Sequence, residues 1–207
     1  MKNVICIALT LVAVAFLPCG ALSDNSKSLP VIEPNDEGLY VQPWFQETFK
    51  DIREDMEDAA SEGKQLVILF EQKGCPYCKE IHHVNLRVPE VSDYIKTHFH
   101  VVQMNLWGDK EAIDLDGEVL TEKTLGRKWR VQFTPTIVFL PANVPDKPVS
   151  GRLAQVWTLL GYWKPFHFKH SFQYVREKGY ETHPNFQRWL QMKAEVYEKD
   201  GKKFSIW

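Results

Sequence analysis

Hydrophobic residues cluster along the chain in four short runs that are typical of β-strands. Residues 65–71 (QLVILFE) form a continuous apolar run, which predicts a strand buried on both faces. Similar runs at 100–106 and 136–140 predict two more strands. A fourth strand is predicted at 153–162, and we expect it to form a hairpin with the third.

Between these runs, apolar positions recur at the spacing of helices. The predicted helices cover 44–62, 76–99 with a break at Val88–Pro89, 121–129, 165–178 and 185–199. Strands that alternate with helices indicate an α/β domain built in layers. Residues 107–120 are polar and carry two glycines, so we interpret them as an inserted loop.

The same pattern divides the chain into four parts. We interpret 1–23 as a signal peptide, 24–43 as an extended leader, 44–180 as the main domain and 181–207 as a C-terminal helical extension. The leader is rich in Pro, Asp, Asn and Ser, and no internal repeat is visible.

The N-terminal segment predicts export from the cytoplasm. Residues 4–17 form an apolar core that is long enough for a signal peptide but short for a membrane span. Small residues at Ala21 and Ser23 place cleavage after Ser23. A retained membrane anchor is the alternative, whereas a lipoprotein through Cys19 is disfavoured because Pro18 precedes it. We therefore expect a periplasmic or otherwise exported protein.

Composition narrows the classes of function. The chain has 207 residues, of which 44% are hydrophobic and 25% charged. Positive and negative residues are scattered along the sequence and give a net charge of −2. This distribution indicates a globular protein and disfavours nucleic acid as a partner, which would need a clustered basic surface. Two of its four cysteines lie in the export segment, so only Cys75 and Cys78 stay in the mature protein. A pair this close constrains almost no loop, which points to chemistry or metal rather than to a structural staple.

The motif Cys75-Pro76-Tyr77-Cys78 follows a buried strand and opens a helix. Unpaired N–H groups and the positive end of the helix dipole favour a thiolate there, which makes Cys75 the candidate nucleophile. Cys78 lies one turn later on the same face, within disulfide reach, and is the candidate resolving thiol.

Two alternatives compete with redox chemistry at this motif. Cys78 and His82 have the spacing of helical metal ligands, but a structural zinc needs four ligands and the mature chain has no other cysteine. The pair can also be a static disulfide in a non-catalytic binding module. We predict no metal and no cofactor.

Two segments, LVILFEQKGCPYCK and KWRVQFTPTIVFL, resemble the signature segments of the thioredoxin superfamily. The C-terminal GYWKPFHF and NFQRWL are similar to periplasmic SoxW-like thioredoxins. The resemblance implies a thioredoxin fold, in which a central mixed sheet is flanked by helices. It also implies that Cys75 is the nucleophile, Cys78 the resolving cysteine and Pro135, after Thr134, a cis-proline that faces them.

The chain departs from thioredoxins at several positions. Pro76 and Tyr77 match glutaredoxins, and Gly74 replaces the tryptophan before the first cysteine. The buried aspartate that accepts a proton in thioredoxins would fall at Leu69, so it is absent from this chain. Glu71, two residues later, is a candidate substitute that assists Cys78. Glu71 can equally be a solvated residue at the end of the strand.

The resemblance implies a monomeric protein-disulfide reductase that acts on exported client proteins with disulfides. A reductase in an oxidising compartment needs a source of electrons, which implies a membrane thiol transporter of the DsbD or CcdA type as partner. A disulfide oxidase or isomerase is the alternative within the redox class. The aromatic residues near the C-terminus form either a partner groove or core packing: Trp157, Tyr162, Trp163, Phe166 and Phe168.

Overall fold

The computed structural model describes residues 28–201 and residue 204, and a four-stranded sheet lies at its centre. The strands in chain order are β1 (Gln65–Glu71), β2 (Phe99–Asn105), β3 (Glu111–Ile113), β4 (Val119–Thr121), β5 (Thr136–Phe139) and β6 (Trp157–Leu160). The central sheet has the order β2-β1-β5-β6, while β3 and β4 form a separate hairpin. β1 runs parallel to β2, and β5 runs antiparallel to both β1 and β6, which makes the sheet mixed.

Helices connect and cover these strands. They are α1 (Ile52–Ser61), α2 (Pro76–Glu80), a π-helical turn (Ile81–Asn85), α3 (Pro89–His98), α4 (Glu122–Lys128), α5 (Gly151–Ala154), α6 (Pro165–Arg176), α7 (Gly179–Thr182) and α8 (Phe186–Lys199). Prolines occupy the first turn of α2, α3 and α6, where the missing N–H has no helical partner.

The sheet separates two hydrophobic cores. Because side chains alternate along a strand, Val67 and Leu69 of β1 face the core beneath α3 and α6. Leu66, Ile68 and Phe70 face the other core, beneath α1 and α4. Every residue of β1 is buried, which confirms the prediction of a strand covered on both faces.

The predicted helix at 44–62 is wrong in its first half. α1 begins at Ile52, because the Asp51 carboxylate caps it by accepting from the backbone N–H groups of Arg53 and Glu54. The preceding segment is extended, and Gln46 forms a β-bridge with Val102.

Two further predictions need correction. The inserted loop at 107–120 contains the β3–β4 hairpin, which bridges to the N-terminal segment through Asp51 and Ile113. The predicted strand at 153–162 begins with the helical turn α5, and only Trp157–Leu160 pairs with β5. Ser150 caps α5 by accepting from the N–H of Arg152, which favours a helical turn over a strand at this point.

The C-terminal helices complete the core on the α6 side. Phe186, Trp189 and Leu190 of α8 belong to the same buried cluster as Phe172 and Tyr174 of α6. No helix in the described part of the chain is long and apolar enough to cross a membrane. The predicted signal peptide and its cleavage after Ser23 lie outside the described residues.

Candidate functional site

Cys75 and Cys78 form a disulfide at the point where β1 leads into α2, with their Cα atoms 5.3 Å apart. Gly74 precedes them with a φ of 73°, a left-handed conformation that lets the chain turn from the strand into the helix. The sulfur of Cys75 caps α2 by accepting from the N–H of Cys78 at 3.1 Å. A sulfur in this position receives the donor and the helix dipole that stabilise a thiolate.

Both cysteines are buried, and Cys75 is the slightly more exposed residue of the pair. Cys75 keeps 7% of its surface exposed, and Cys78 only 2%. Between them, Pro76 is exposed at the first turn and Tyr77 is 58% exposed. Of the two cysteines, Cys75 therefore keeps the larger accessible surface.

Thr134 and Pro135 lie at the same edge of the sheet as the cysteines. β5 begins directly after Pro135, and its first residue, Thr136, pairs with Phe70 near the end of β1. The Thr134–Pro135 peptide bond is cis, and Pro135 is buried with its carbonyl accepting from the N–H of Gly161 at 2.9 Å. Within residues 28–201, no hydrogen bond engages the backbone N–H or C=O of Thr134.

Glu71, the last residue of β1, is 1% exposed and is part of a buried polar cluster. Its two carboxylate oxygens lie 3.2 and 3.1 Å from Nε2 of His82, a fully buried residue in the π-helical turn that follows the motif. The side-chain amide of Gln103 donates to the same carboxylate and to the carbonyl of Tyr40. The carboxylate is thus engaged by His82 and Gln103, and Glu71 is not a solvated strand end.

The N-terminal segment covers this cluster from the other side. Gln42 is buried, and its Nε2 lies 3.2 Å from Nδ1 of His82. With Gln42 as donor, the ring proton is on Nε2 and points to Glu71. The ring of Tyr40 packs 5.8 Å from that of His82 and edge-on to that of His83. We call residues 28–42 the strap.

Exposed rings surround the cysteines at this edge of the sheet. Tyr77 stacks on Tyr162, with ring centroids 6.2 Å apart and an interplanar angle of 11°. Trp107, beyond β2, is 62% exposed and donates from Nε1 to Gln72 at 2.9 Å. Phe133 is 46% exposed directly before Thr134. The surface beside the cysteine pair is therefore partly aromatic.

The C-terminal aromatic residues serve mainly as core packing, and one of them also contacts the cysteine motif. Trp157, Trp163, Phe166 and Phe168 pack in or against the core beneath α6 and α8. Tyr162 also packs against this core, and in addition its ring stacks on Tyr77 of the cysteine motif and its hydroxyl donates to Asn85 at 3.2 Å. Burial raises the pKa of Tyr162 above its ordinary value.

The partners of Glu71 were not predicted from the sequence. The spacing of His82 from Cys78 suggests a metal ligand, whereas both ring nitrogens of His82 have protein partners in the structure. Those partners are distant in sequence, so no local pattern identifies them. In the described part of the chain, no three His, Cys, Asp or Glu side chains are grouped so as to hold a metal ion.

Comparison with known proteins agrees with the topology. Residues 52–150 match the family model of the thioredoxin-like domain. Similar solved structures include a thioredoxin-fold protein from Helicobacter pylori, with 24% identity and a TM-score of 0.48, covering 70% of this chain and 92% of that one. A thioredoxin from Thermus thermophilus has 24% identity and a TM-score of 0.46, covering 60% and 83%. The oxidised C-terminal domain of Neisseria meningitidis DsbD has 17% identity and a TM-score of 0.42, covering 60% and 93%.

No curated protein matches the chain at the level of sequence. The chain contains a thioredoxin-like domain: a mixed sheet flanked by helices, with additional helices at its C-terminus. This fold, together with the close Cys75–Cys78 pair at a helix start, supports a thiol–disulfide oxidoreductase in general.

Proposed function

We propose that this protein reduces disulfides in exported client proteins through Cys75 and Cys78. The observation that carries the proposal is the cysteine pair itself. The sulfur of Cys75 caps the start of a helix, and Cys78, the less exposed of the two buried residues, lies within disulfide distance of it. This arrangement supplies one thiol to attack and a second to release the product.

The exchange proceeds in two balanced steps. The Cys75 thiolate attacks a client disulfide, which forms a mixed disulfide and releases the first client sulfur as a thiolate. The Cys78 thiolate then attacks the Cys75 sulfur, which breaks the mixed disulfide and releases the second client sulfur. Two electrons have passed to the client, and the Cys75–Cys78 disulfide has formed.

The client docks beside Thr134 as an extended segment. The backbone groups of Thr134 have no partner in the described structure, and a client strand can pair with them. The exposed rings of Tyr77, Trp107 and Phe133 add apolar contacts around the reacting sulfurs.

Reduction in repeated cycles requires an electron donor. The export segment at 1–23 and the SoxW-like C-terminal motifs favour a periplasmic monomer that is recharged by a membrane thiol transporter of the DsbD or CcdA type. This donor reduces the Cys75–Cys78 disulfide by the same two-step exchange.

A trapping experiment tests the proposal. Cys78→Ser leaves the attacking thiol in place but removes the resolving thiol, so mixed disulfides with clients should accumulate in the exported protein. Cys75→Ser is the matched control and should trap little, because Cys78 is the less accessible sulfur. If Cys78→Ser gives no more reductant-sensitive adducts on a non-reducing gel than Cys75→Ser, the pair is a static disulfide and the proposal is wrong.

The direction of electron flow has its own test. Equilibration of the wild-type pair with glutathione buffers of known ratio gives its reduction potential. A potential well above that of the glutathione couple would favour the disulfide oxidase instead.

A further inference from the structure

A cleft of about 240 Å³ opens beside Thr134 and Pro135, on the face of the sheet that α4 covers only in part. Its lining comes from the segment after α4, from α5 and the turn after it, and from β5 and the edge strand β6. Phe133 directly precedes Thr134, Thr136 directly follows Pro135, and both line the cleft. A client segment that docks at Thr134 therefore has the cleft next to it.

The charge of the cleft is positive. Arg130 and Arg152 both line it, and no Asp or Glu does. Neither arginine takes part in an ion pair among residues 28–201. By contrast, the nearby Lys128 is surrounded by the carboxylates of Asp114, Asp116 and Glu118.

The surroundings of the two guanidinium groups leave them able to bind an anion. Arg152 is half-buried and uses one Nη atom to donate to the carbonyl of Trp129 at 3.2 Å. Arg130 is exposed and has a left-handed backbone, with a φ of 57°. Guanidinium groups bind carboxylates through paired N–H donors, and this geometry suits the side chains of Asp and Glu.

We infer that this cleft, which we call the arginine cleft, selects clients with an acidic segment beside the target cysteine. The inference rests on the proposed function, since it concerns which client disulfides reach Cys75. Phe133 and Leu160 are exposed at the rim, where they contact the apolar part of an extended segment, and Arg130 and Arg152 hold its carboxylates. The occupant is an extended, acidic stretch of the client.

Three peptides with the same disulfide loop test this selection. The peptides differ only in the three residues on each side of the reacting cysteine. These residues are all Glu in the first peptide, all Gln in the second and all Lys in the third. Pre-reduced protein is mixed with each peptide, the reaction is stopped in acid, and the reduced peptide is separated and quantified. Two partly exposed guanidinium–carboxylate contacts should make the Glu peptide react about three- to tenfold faster than the Gln peptide, and the Lys peptide slowest.

Variants of the cleft separate its effect from general chemistry. Arg130→Gln removes one of the two guanidinium contacts and should reduce the preference for Glu to about two- to threefold, and Arg130→Glu, which leaves the cleft lining without net charge, should abolish the preference. Arg127→Gln is the matched control. Arg127 lies on α4 and is exposed like Arg130, but it does not line the cleft. Reduction of the small neutral 2-hydroxyethyl disulfide should be the same in all these proteins.

The possible outcomes are distinguishable. If neither the peptides nor 2-hydroxyethyl disulfide are reduced, the proposed function itself fails. If all three peptides are reduced at equal rates, or if Arg127→Gln changes the preference as much as Arg130→Gln, selection by the arginine cleft is refuted and the reductase activity stands.

Discussion

Replacing His82 by leucine should strongly destabilise the folded protein, although His82 takes no part in the disulfide. Leucine fills much of the space of the imidazole but offers no donor or acceptor. The Glu71 carboxylate then loses its contacts with Nε2 and retains only the amide of Gln103. At the same time Gln42 loses the acceptor for its buried amide.

The expected size follows from these two losses. A hydrogen bond to a charged group contributes about 1.5–3 kcal/mol, and a neutral one about 0.5–1.5 kcal/mol. His82→Leu should therefore lower the free energy of unfolding by about 2–4 kcal/mol. His83→Leu is the neighbouring control: His83 is half-buried and donates only to the carbonyl of Ile32, so we expect a loss of about 1 kcal/mol.

A double-mutant cycle identifies the cause. Glu71→Leu alone leaves the N–H of His82 unpaired, whereas Glu71→Leu with His82→Leu removes both partners and leaves no uncompensated charge. Urea unfolding of the oxidised proteins, followed by circular dichroism, should show the double variant more stable than the sum of the single losses predicts, by about 1.5–3 kcal/mol. Additivity to within about 0.5 kcal/mol would show that the two side chains do not stabilise each other and would refute the reasoning.

Three other measurements check separate parts of the structure. In the reduced protein, iodoacetamide should modify Cys75 before Cys78, because Cys75 is more exposed and caps the helix; peptide mapping that finds Cys78 modified first would reverse their roles. Burial raises the pKa of Asp55 from 3.8 to about 6, so the folded protein binds a proton at this carboxyl group more tightly than the unfolded chain does. The protonated carboxyl group therefore contributes its full stabilisation below about pH 4, and this contribution is lost as the pH rises through about 6. Asp55→Asn should therefore be more stable than wild type above pH 7, by up to about 3 kcal/mol, and urea unfolding at pH 4 and pH 7.5 should show no gain at the lower pH. Gly151→Ala should cost about 1–3 kcal/mol, because the new Cβ would lie 2.0 Å from the buried ring of Trp129, and an unchanged melting temperature would contradict this packing.

The sequence predicts the elements around the cysteines well because their signals are local. A continuous apolar run defines β1, and Pro76 at the first helical turn defines the start of α2. The alternation of such elements predicts an α/β domain, and the resemblance of two segments to thioredoxins implies the particular fold.

The errors arise where contacts distant in sequence decide the structure. Apolar residues recur at helical spacing from Trp44 onward, yet Phe49 is 94% exposed and Lys50 has a positive φ, which no helix interior permits. The segment is extended because Gln46 bridges to β2. Periodicity does not report a bridge to a strand more than fifty residues away.

In the candidate site too, local motifs can be predicted from the sequence, whereas contacts between distant residues cannot. Cys75, Cys78 and Pro135 can be identified from two short segments, but the surroundings of Glu71 depend on Gln42, far back in the chain. The arginine cleft has no sequence signal at all, because its two arginines come together only when the segment after α4 packs beside α5.

The strap also limits how far the protein can be shortened for laboratory use. The strap is hydrogen-bonded to the segment after the cysteine motif. The N–H of Leu29 donates to the carbonyl of Arg87 at 2.7 Å, and Nε2 of His83 donates to the carbonyl of Ile32. The matched domain at 52–150 omits it, together with β6 and the last helices. A recombinant version trimmed to those borders would admit water to His82 and turn β5 into a sheet edge. Affinity tags and protease sites are better placed ahead of residue 28 than at the start of the recognisable domain.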